Sequence, residues 1–512
     1  MPSVRRRAGE KGNRCKSGTT AITVSGENRR NAIGQIVREG APIRKDRKSG
    51  DLLGFRSENI LGQMENAADK FFYHGKEGCV RALPRAFFVA DLFGLFTKKS
   101  HGSKRMKRRL ALILGILMLS GMLFFAAACA KNGQKTEDVT VSYGELVSTG
   151  KEENTFAQLF SIEHFTDGEG RRYSEIEIYD KNKALSSSWL LLPEGVSGAE
   201  GVPETTQVMT AQDRANILVS SASTMSLINA MDALDKVPMT TSDTTWYIEE
   251  IKQAIGDGTV QEVGKYNAPD YEKILTVGTE KHVTFAVFST MIDYVPQVEE
   301  MLSQTCHIRI MRDQSSSESH PLARTEWIKV FGEIFGLRTQ SDAVFDAQVK
   351  ALNDTLKQIG DIPESERKSV LIFYTTADKS TYNVRNAEDY VTKLVSLAGG
   401  RQVAEIGAGK SGNTKMDAET FVSTCAQADY VLYNWTSGAS GVEDESLQGL
   451  IDARLGDWFK QFKAYQEGNV WRTSRDFYQK MDKMGEMVAD IYQMLYGNGS
   501  SDALTYVDRL NR

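Results

Sequence analysis

From Ile217 onward the chain repeats one pattern, a short apolar run followed by a stretch whose apolar residues recur three and four positions apart. Ile217–Val219 precedes Thr224–Leu234, Val260–Val263 precedes Tyr271–Leu275, Val283–Phe288 precedes Val295–Leu302, and His307–Met311 precedes Leu322–Phe335. Unbroken apolar runs suit strands covered on both faces, and their alternation with amphipathic helices predicts a parallel α/β sheet. Asp342–Ile359 then carries Val344, Phe345, Val349, Leu352 and Leu356 with no glycine, which predicts one long helix with a single apolar stripe. A second α/β series follows: Val370–Tyr374, Ala387–Leu397, Ala428–Tyr433, Leu447–Phe462, Val470–Trp471 and Met481–Leu495. The expected fold class is therefore α/β, with two Rossmann-like lobes joined by one rigid helix.

Ahead of the lobes the pattern changes to β-branched and aromatic alternation at Val139–Tyr143, Phe156–Phe165 and Tyr173–Tyr179. The Asp167-Gly-Glu-Gly170 sequence between the last two predicts a hairpin in a β-rich entry segment. Further upstream, the basic Met106-Lys-Arg-Arg109 leads into the charge-free Leu110–Phe125 and then Ala126-Ala-Ala-Cys129. Sixteen residues reach about 24 Å as a helix, short of the roughly 30 Å of a comfortable membrane span, so the order reads as a cleavable secretory signal. Small residues directly before a cysteine resemble the bacterial lipobox, which makes Cys129 the expected lipidation site. The expected divisions are 1–105 as upstream translation or disordered chain, 106–129 as lipoprotein signal, 130–215 as tether and β-rich entry, 216–341 as first lobe, 342–360 as interlobe helix, 361–498 as second lobe, and 499–512 as tail.

Charge sharpens the division. Residues 1–105 hold 22 Lys and Arg against 10 Asp and Glu, a balance of +12, whereas residues 130–512 hold 37 against 57, a balance of −20. No nucleic-acid-binding motif accompanies the basic segment, so no nucleic-acid partner is expected. Five cysteines, at 15, 79, 129, 306 and 425, show no paired spacing of the zinc or redox kind and exclude a disulfide-stapled scaffold. Ala404-Glu-Ile-Gly-Ala-Gly-Lys-Ser411 nearly matches a phosphate-cradling loop, but alanine replaces its first glycine and no helix is expected to start at Lys410, so a surface loop is expected there.

The residues at the lobe junction are similar to a known family. Glu318-Ser-His-Pro-Leu-Ala-Arg-Thr-Glu-Trp327, then Phe331-Gly332 and Phe335-Gly336, resemble the iron-siderophore/cobalamin substrate-binding proteins of bacterial ABC importers. Pro269-Asp-Tyr-Glu-Lys-Ile-Leu275, Leu397-Ala-Gly-Gly400, Met416–Phe421, Ala428–Val431 and Gly468–Trp471 follow in the same order. The departure Gly278-Thr-Glu-Lys281 stands where many members carry leucine, proline and aspartate.

The resemblance implies a monomeric lipoprotein held outside the cytoplasmic membrane by its lipid anchor. It would capture a metal chelate or corrinoid between the lobes and deliver it to an ABC permease and its ATPase, with an acidic residue on each lobe's outer tip docking there. Such a cargo arrives with its metal already coordinated, so no catalytic residue, resident cofactor or metal ligand is expected. What the cleft needs is aromatic area, hydroxyls and cations.

Strand-end loops supply the candidates: Ser221, Ser223, Trp246, Tyr247, Lys265, Ser289, Thr290 and Arg312 in the first lobe, and Thr375, Tyr382, Arg385, Arg475 and Tyr478 in the second. Trp327 and Trp435 are expected to pack, and His320 to start a helix before Pro321. The alternatives are a haem binder, a bare-metal binder, although His164, His282, His307 and His320 do not fall at the strand ends that importers of bare zinc or manganese in a related fold use, or an exported chelatase-like enzyme of the same two-lobed architecture.

Overall fold

The computed structural model describes residues 139–511 apart from 243, 361, 377–379, 436–445 and 498–502. All of them lie in the compact unit Ala130–Arg512. The expected signal peptide and Cys129 fall outside the described residues.

The entry segment is a β module. Strands β1 (Val139–Ser142), β2 (Val147–Lys151), β3 (Phe160–Thr166), β4 (Arg172–Tyr179), β5 (Leu185–Leu191), β6 (Val196–Glu200) and β7 (Thr206–Met209) form a five-stranded sheet of order β2-β3-β4-β5-β7 and a separate parallel pair, β1 with β6. The predicted hairpin is β3–β4. Asp167 builds its turn by accepting from the Glu169 and Arg171 N–H groups and from the Tyr173 hydroxyl. Alternate side chains of the sheet join the first lobe's core, where Trp189 meets Phe285 edge-on at 5.1 Å and Phe160 meets Trp327 at 5.3 Å.

The first lobe contains β8 (Leu218–Ser220), β9 (Met239–Thr240), β10 (Gln261–Glu262), β11 (Gly264–Lys265), β12 (Ala268–Pro269), β13 (Phe285–Ser289) and β14 (Arg309–Asp313). Its helices are α1 (Ala222–Ala230), α2 (Glu249–Gly256), α3 (Tyr271–Lys281), α4 (Pro296–Gln304), α5 (Pro321–Glu326) and α6 (Ile328–Phe335). The main sheet has order β10-β9-β8-β13-β14 with every neighbour parallel. The chain thus builds outward from β8 in one direction and returns to β13 on its other side, so the order reverses between β8 and β13. Apolar clusters cover both faces of this sheet, as unbroken apolar strands require.

Helix α7 (Arg338–Ile359) runs 22 residues, about 33 Å at 1.5 Å per residue. It begins four residues earlier than expected. Its fully buried positions are Ser341, Phe345, Gln348, Leu352, Thr355 and Ile359, alternately four and three apart, whereas Leu356 points outward at 42 % exposure. The glycines of the Phe-Gly pairs before it have local reasons. Gly336 closes α6 in the left-handed conformation, and a Cβ at Gly332 would lie 2.6 Å from that of Ser341.

The second lobe holds β15 (Ser369–Thr375), β16 (Tyr382–Arg385), β17 (Arg401–Gln402), β18 (Asn413–Met416), β19 (Tyr430–Tyr433), β20 (Val470–Thr473) and β21 (Val507–Arg509). Its helices are α8 (Tyr390–Leu397), α9 (Ala418–Cys425), α10 (Leu447–Leu450), α11 (Lys463–Glu467) and α12 (Met484–Tyr496). A separate sheet of order β18-β16-β15-β19-β20-β21 forms its centre, with β15, β19 and β20 mutually parallel and β16, β18 and β21 antiparallel to their neighbours. The single helix expected over Leu447–Phe462 is broken into α10, a π turn at Ile451–Leu455 and a 3-10 turn at Asp457–Gln461. Gly456, at φ 86°, separates the two turns.

The fold is therefore two α/β lobes joined by one long helix and preceded by a β module. Among the described residues no helix is long and apolar enough to cross a membrane.

Candidate functional site

In an open parallel sheet, a crevice opens beyond the strands' carboxyl ends where the strand order reverses. In the first lobe that point lies between β8 and β13, and a cavity of about 360 Å³ occupies it. Ser220, Ser221, Ala222 and Ser223 line it from the end of β8 and the start of α1, Thr241 and Ser242 from the end of β9, and Ser289, Thr290 and Met291 from the end of β13. Tyr266 and Ser316 complete the wall. Four of the expected residues, Ser221, Ser223, Ser289 and Thr290, thus meet in one cavity.

Ser221 is also the N-cap of α1, accepting from the Thr224 N–H at 3.3 Å, and its hydroxyl lies 2.8 Å from that of Ser223. Ser289 caps a short 3-10 turn by accepting from the Met291 N–H. Thr241, Ser242 and Ser316 were not anticipated. β9 is two residues long and leaves no periodic trace, so the polar Thr241-Ser242 step after it does not stand out as a strand end.

The second half of the site is built at the ends of β19 and β20. Trp435 follows β19 and is held by its N–H donating to Thr473 Oγ1 at 2.9 Å; Tyr247 of the first lobe meets its ring edge-on at 5.5 Å, and the Arg475 guanidinium lies over it at 5.9 Å. The expectation that Trp435 packs is met, with a first-lobe residue as one partner. Two hydrogen bonds join the lobes beside it: Thr244 Oγ1 pairs with the Tyr478 hydroxyl at 2.8 Å, and the Tyr247 N–H donates to Gln479 Oε1 at 2.9 Å. Gln479 Nε2 donates to the Thr245 carbonyl at 2.8 Å, closing the bridge. Gln479 and Thr244 gave no sequence signal, because their role exists only once the lobes are side by side.

The remaining candidates are not among that cavity's lining residues. Tyr382 was read as part of a strand-end loop; it lies inside β16, 4 % exposed, with its ring stacked on Phe421 at 4.5 Å and edge-on to Trp458. The ring is therefore part of the second lobe's core. Thr375 is fully buried beside the Tyr433 hydroxyl. Trp246 belongs to the first core at 6 % exposure, although its indole N–H is buried with no protein partner.

Arg312 is an ion-pair strut, 2.8 Å from Asp293 and 2.6 Å from Glu299. Lys265 is exposed on a two-strand hairpin of β11 and β12 rather than at a strand end of the main sheet. Arg385 donates through Nε to Asn434 at 2.8 Å and through Nη1 to Asp389 at 3.3 Å, with Tyr374 beneath its guanidinium.

One group has metal-ligating geometry among the described residues: Glu152, His164 and Glu333, with ligand atoms within 4.8 Å of one another. A cation already balances these carboxylates, because Arg338 pairs with Glu152 at 2.9 Å and reaches Glu333 at 3.8 Å, while Ser174 links His164 to Glu333. The group fastens β2, β3 and β4 to α6 and the start of α7. The Ala404–Ser411 segment is a turn folded onto Asn386–Glu388 through the Asn386 amide, and it leads into β18 rather than a helix. His320 starts α5 as expected, its Nδ1 accepting from the Leu322 N–H.

Two α/β lobes whose strand-end loops meet, bridged by a long helix, define a two-lobed α/β fold. Residues 288–476 match the model of the periplasmic binding protein family. An uncharacterised lipoprotein of Methanocaldococcus jannaschii is 21 % identical over 253 residues, covering 49 % of this chain and 56 % of that protein. The chain thus aligns with just over half of that relative's length.

Among solved structures, a periplasmic binding protein from Veillonella parvula is 21 % identical at TM-score 0.43, covering 56 % of this chain and 92 % of that one. A periplasmic heme-binding protein from Pseudomonas aeruginosa is 14 % identical at TM-score 0.45, covering 58 % and 98 %.

Proposed function

We propose that this chain is the substrate-binding component of an ABC importer, taking an iron-siderophore chelate or a corrinoid between its lobes and handing it to a permease coupled to an ATPase. The observation that carries the reading is the hydroxyl-lined cavity at the first lobe's strand-order reversal, with Trp435, Arg475 and Tyr478 of the second lobe joined to the same loops. This combination of aromatic area, hydroxyls and a guanidinium suits a bulky cargo with an apolar body and a polar rim. Capture needs no bond making, and the described lining residues are mainly hydroxyl-bearing, with none that is a histidine, cysteine or carboxylate. The same lining supplies no strong ligand set for a bare metal ion.

Lipidation at Cys129 and attachment to the outer face of the membrane are part of the proposal, as is a monomeric state. The test is a tryptophan-fluorescence titration of the full chain with cyanocobalamin, a ferric catecholate, a ferric hydroxamate and haem. The reading predicts saturable 1:1 binding of one of the first three, with the cargo recovered unchanged. Binding of haem alone would favour the haem alternative, and turnover of the cargo would favour an enzyme.

A further inference from the structure

Resting on that reading of the cleft, we propose that its first-lobe end is an anion subsite, which takes a carboxylate or other oxyanion group of the cargo against the start of α1. Two observations converge. The first is donor supply. α1 is nine residues long and begins at the cavity wall, and the N–H groups of Ala222 and Ser223, at its first two positions, have no acceptor within the helix. Aligned peptide dipoles add positive potential there, so a helix start facing a cavity favours negative oxygen.

The second observation is independent of the helix. Ser220 Oγ, from a residue 7 % exposed, and Thr241 Oγ1, from a residue 1 % exposed, line the same cavity and make no hydrogen bond within the protein. Buried hydroxyls are rarely left without a partner, and two on one wall mark a place where a partner is brought in. A hydroxyl alone is compatible with either a donor or an acceptor. The backbone N–H groups only donate, and they decide for an acceptor.

Among the described residues no acidic side chain lines the cavity. Asp313, which pairs with the lining residue Ser289 across the sheet, is already bonded to Thr224 Oγ1 at 2.6 Å and to the Ser315 N–H at 2.8 Å. Arg324, behind the wall, donates to the carbonyl of the lining residue Ser316 at 2.8 Å and places a positive charge next to it. At about 30 Å³ for each water-sized unit, the cavity has room for about a dozen such units. That exceeds one small anion and falls short of a whole corrinoid or siderophore chelate, so the expected guest is an acidic side arm.

The test uses the full chain, its Ser220→Ala and Thr241→Val variants and the double variant, titrated with inorganic phosphate, ferric citrate and cyanocobalamin. Phosphate probes a free oxyanion, ferric citrate a carboxylate borne on a chelate, and cyanocobalamin a cargo with no net charge. At least one anion is expected to bind, weakened about tenfold by either substitution and more by both. Because Thr241 Oγ1 has no partner to lose, Thr241→Val is expected to melt at the same temperature as the parent chain or higher, which separates a binding role from a structural one. If neither anion binds, or if both variants bind anions like the parent, the subsite is overturned. If cyanocobalamin, a ferric catecholate or a ferric hydroxamate binds the parent chain under either of those outcomes, the cleft reading survives alone; if none of them binds, both fall.

Discussion

Gly485 of α12 lies directly against the backbone of Gln348 in α7: a Cβ at 485 would stand 2.0 Å from the Gln348 carbonyl oxygen, and the Gln348 side chain accepts from the Gly485 and Glu486 N–H groups at 3.1 Å. Helix α7 is thus clamped by the last helix of the second lobe, with a buried amide at the crossing in place of the apolar residue the stripe would lead one to expect.

Gly485→Ala is expected to cost about 3 kcal/mol, because the intruding methyl meets backbone, which cannot rotate away. Thermal and denaturant unfolding of the full chain should show a lowered midpoint. An unchanged midpoint would mean that the two helices separate without cost.

The carboxylates of Glu318 and Glu326 gather five consecutive backbone N–H groups of the entry module. Glu326 accepts from Thr155, Phe156 and Ala157 at 2.7–2.8 Å, and Glu318 from Gln158 and Leu159 at 2.9–3.1 Å. Glu326 is fully buried, with Lys329 at 3.0 Å as its counter-ion. Glu326→Gln removes the charge and turns an amide donor toward donors, so a loss of about 2–3 kcal/mol is expected. Limited proteolysis should then cut sooner between residues 152 and 160. Cleavage at the parent rate would show that the module is held by its apolar contacts alone.

Asp482, 7 % exposed, has its carboxyl pushed up to about 6 by burial, against an ordinary value of 3.8. The folded chain therefore holds this proton more tightly than the unfolded chain does. The resulting stability is fully present below about pH 4 and is lost as pH rises through about 6. The difference corresponds to roughly 3 kcal/mol at neutral pH. Asp482→Asn should raise the melting temperature at pH 7.5 and have little effect near pH 4; an equal effect at both would contradict the assignment.

Arg385 neutralises Asp389, which is 4 % exposed and caps α8 by accepting from the Val391 N–H at 3.0 Å. Arg385→Ala should destabilise the second lobe by about 2–4 kcal/mol through the stranded carboxylate. Arg385→Ala combined with Asp389→Asn should recover part of that loss. A full loss of cargo binding with no change in stability would instead make Arg385 a ligand contact.

Much of this architecture was legible along the chain, because buried parallel strands and a one-sided 22-residue helix are written in local spacing. The hydroxyl runs at Ser221–Ser223 and Ser289–Thr290 were legible for the same reason, each following an apolar strand. What stayed hidden depends on partners far away in sequence. Gln348 is buried because of Gly485, Gln479 matters because of Thr245 and Tyr247, and Thr241 lines a cavity because a two-residue strand happens to sit beside β8. Tyr382 shows the opposite failure. An aromatic beside a predicted strand end suits a ligand wall and a core equally well, and the antiparallel pairing of β16 with β15 turned it inward. The Glu318–Trp327 segment lies within the stretch that matches the periplasmic binding protein model, yet its two carboxylates bind the chain's own backbone.

The central claim is that cargo is gripped by both lobes at once. Hydrogen exchange of the full chain, with and without the tightest-binding of cyanocobalamin, ferric catecholate, ferric hydroxamate and haem, reads this directly. Protection is expected to rise together at Ser220–Ser223 in the first lobe and at Arg475–Gln479 in the second. Protection confined to one lobe, or to neither, would contradict it.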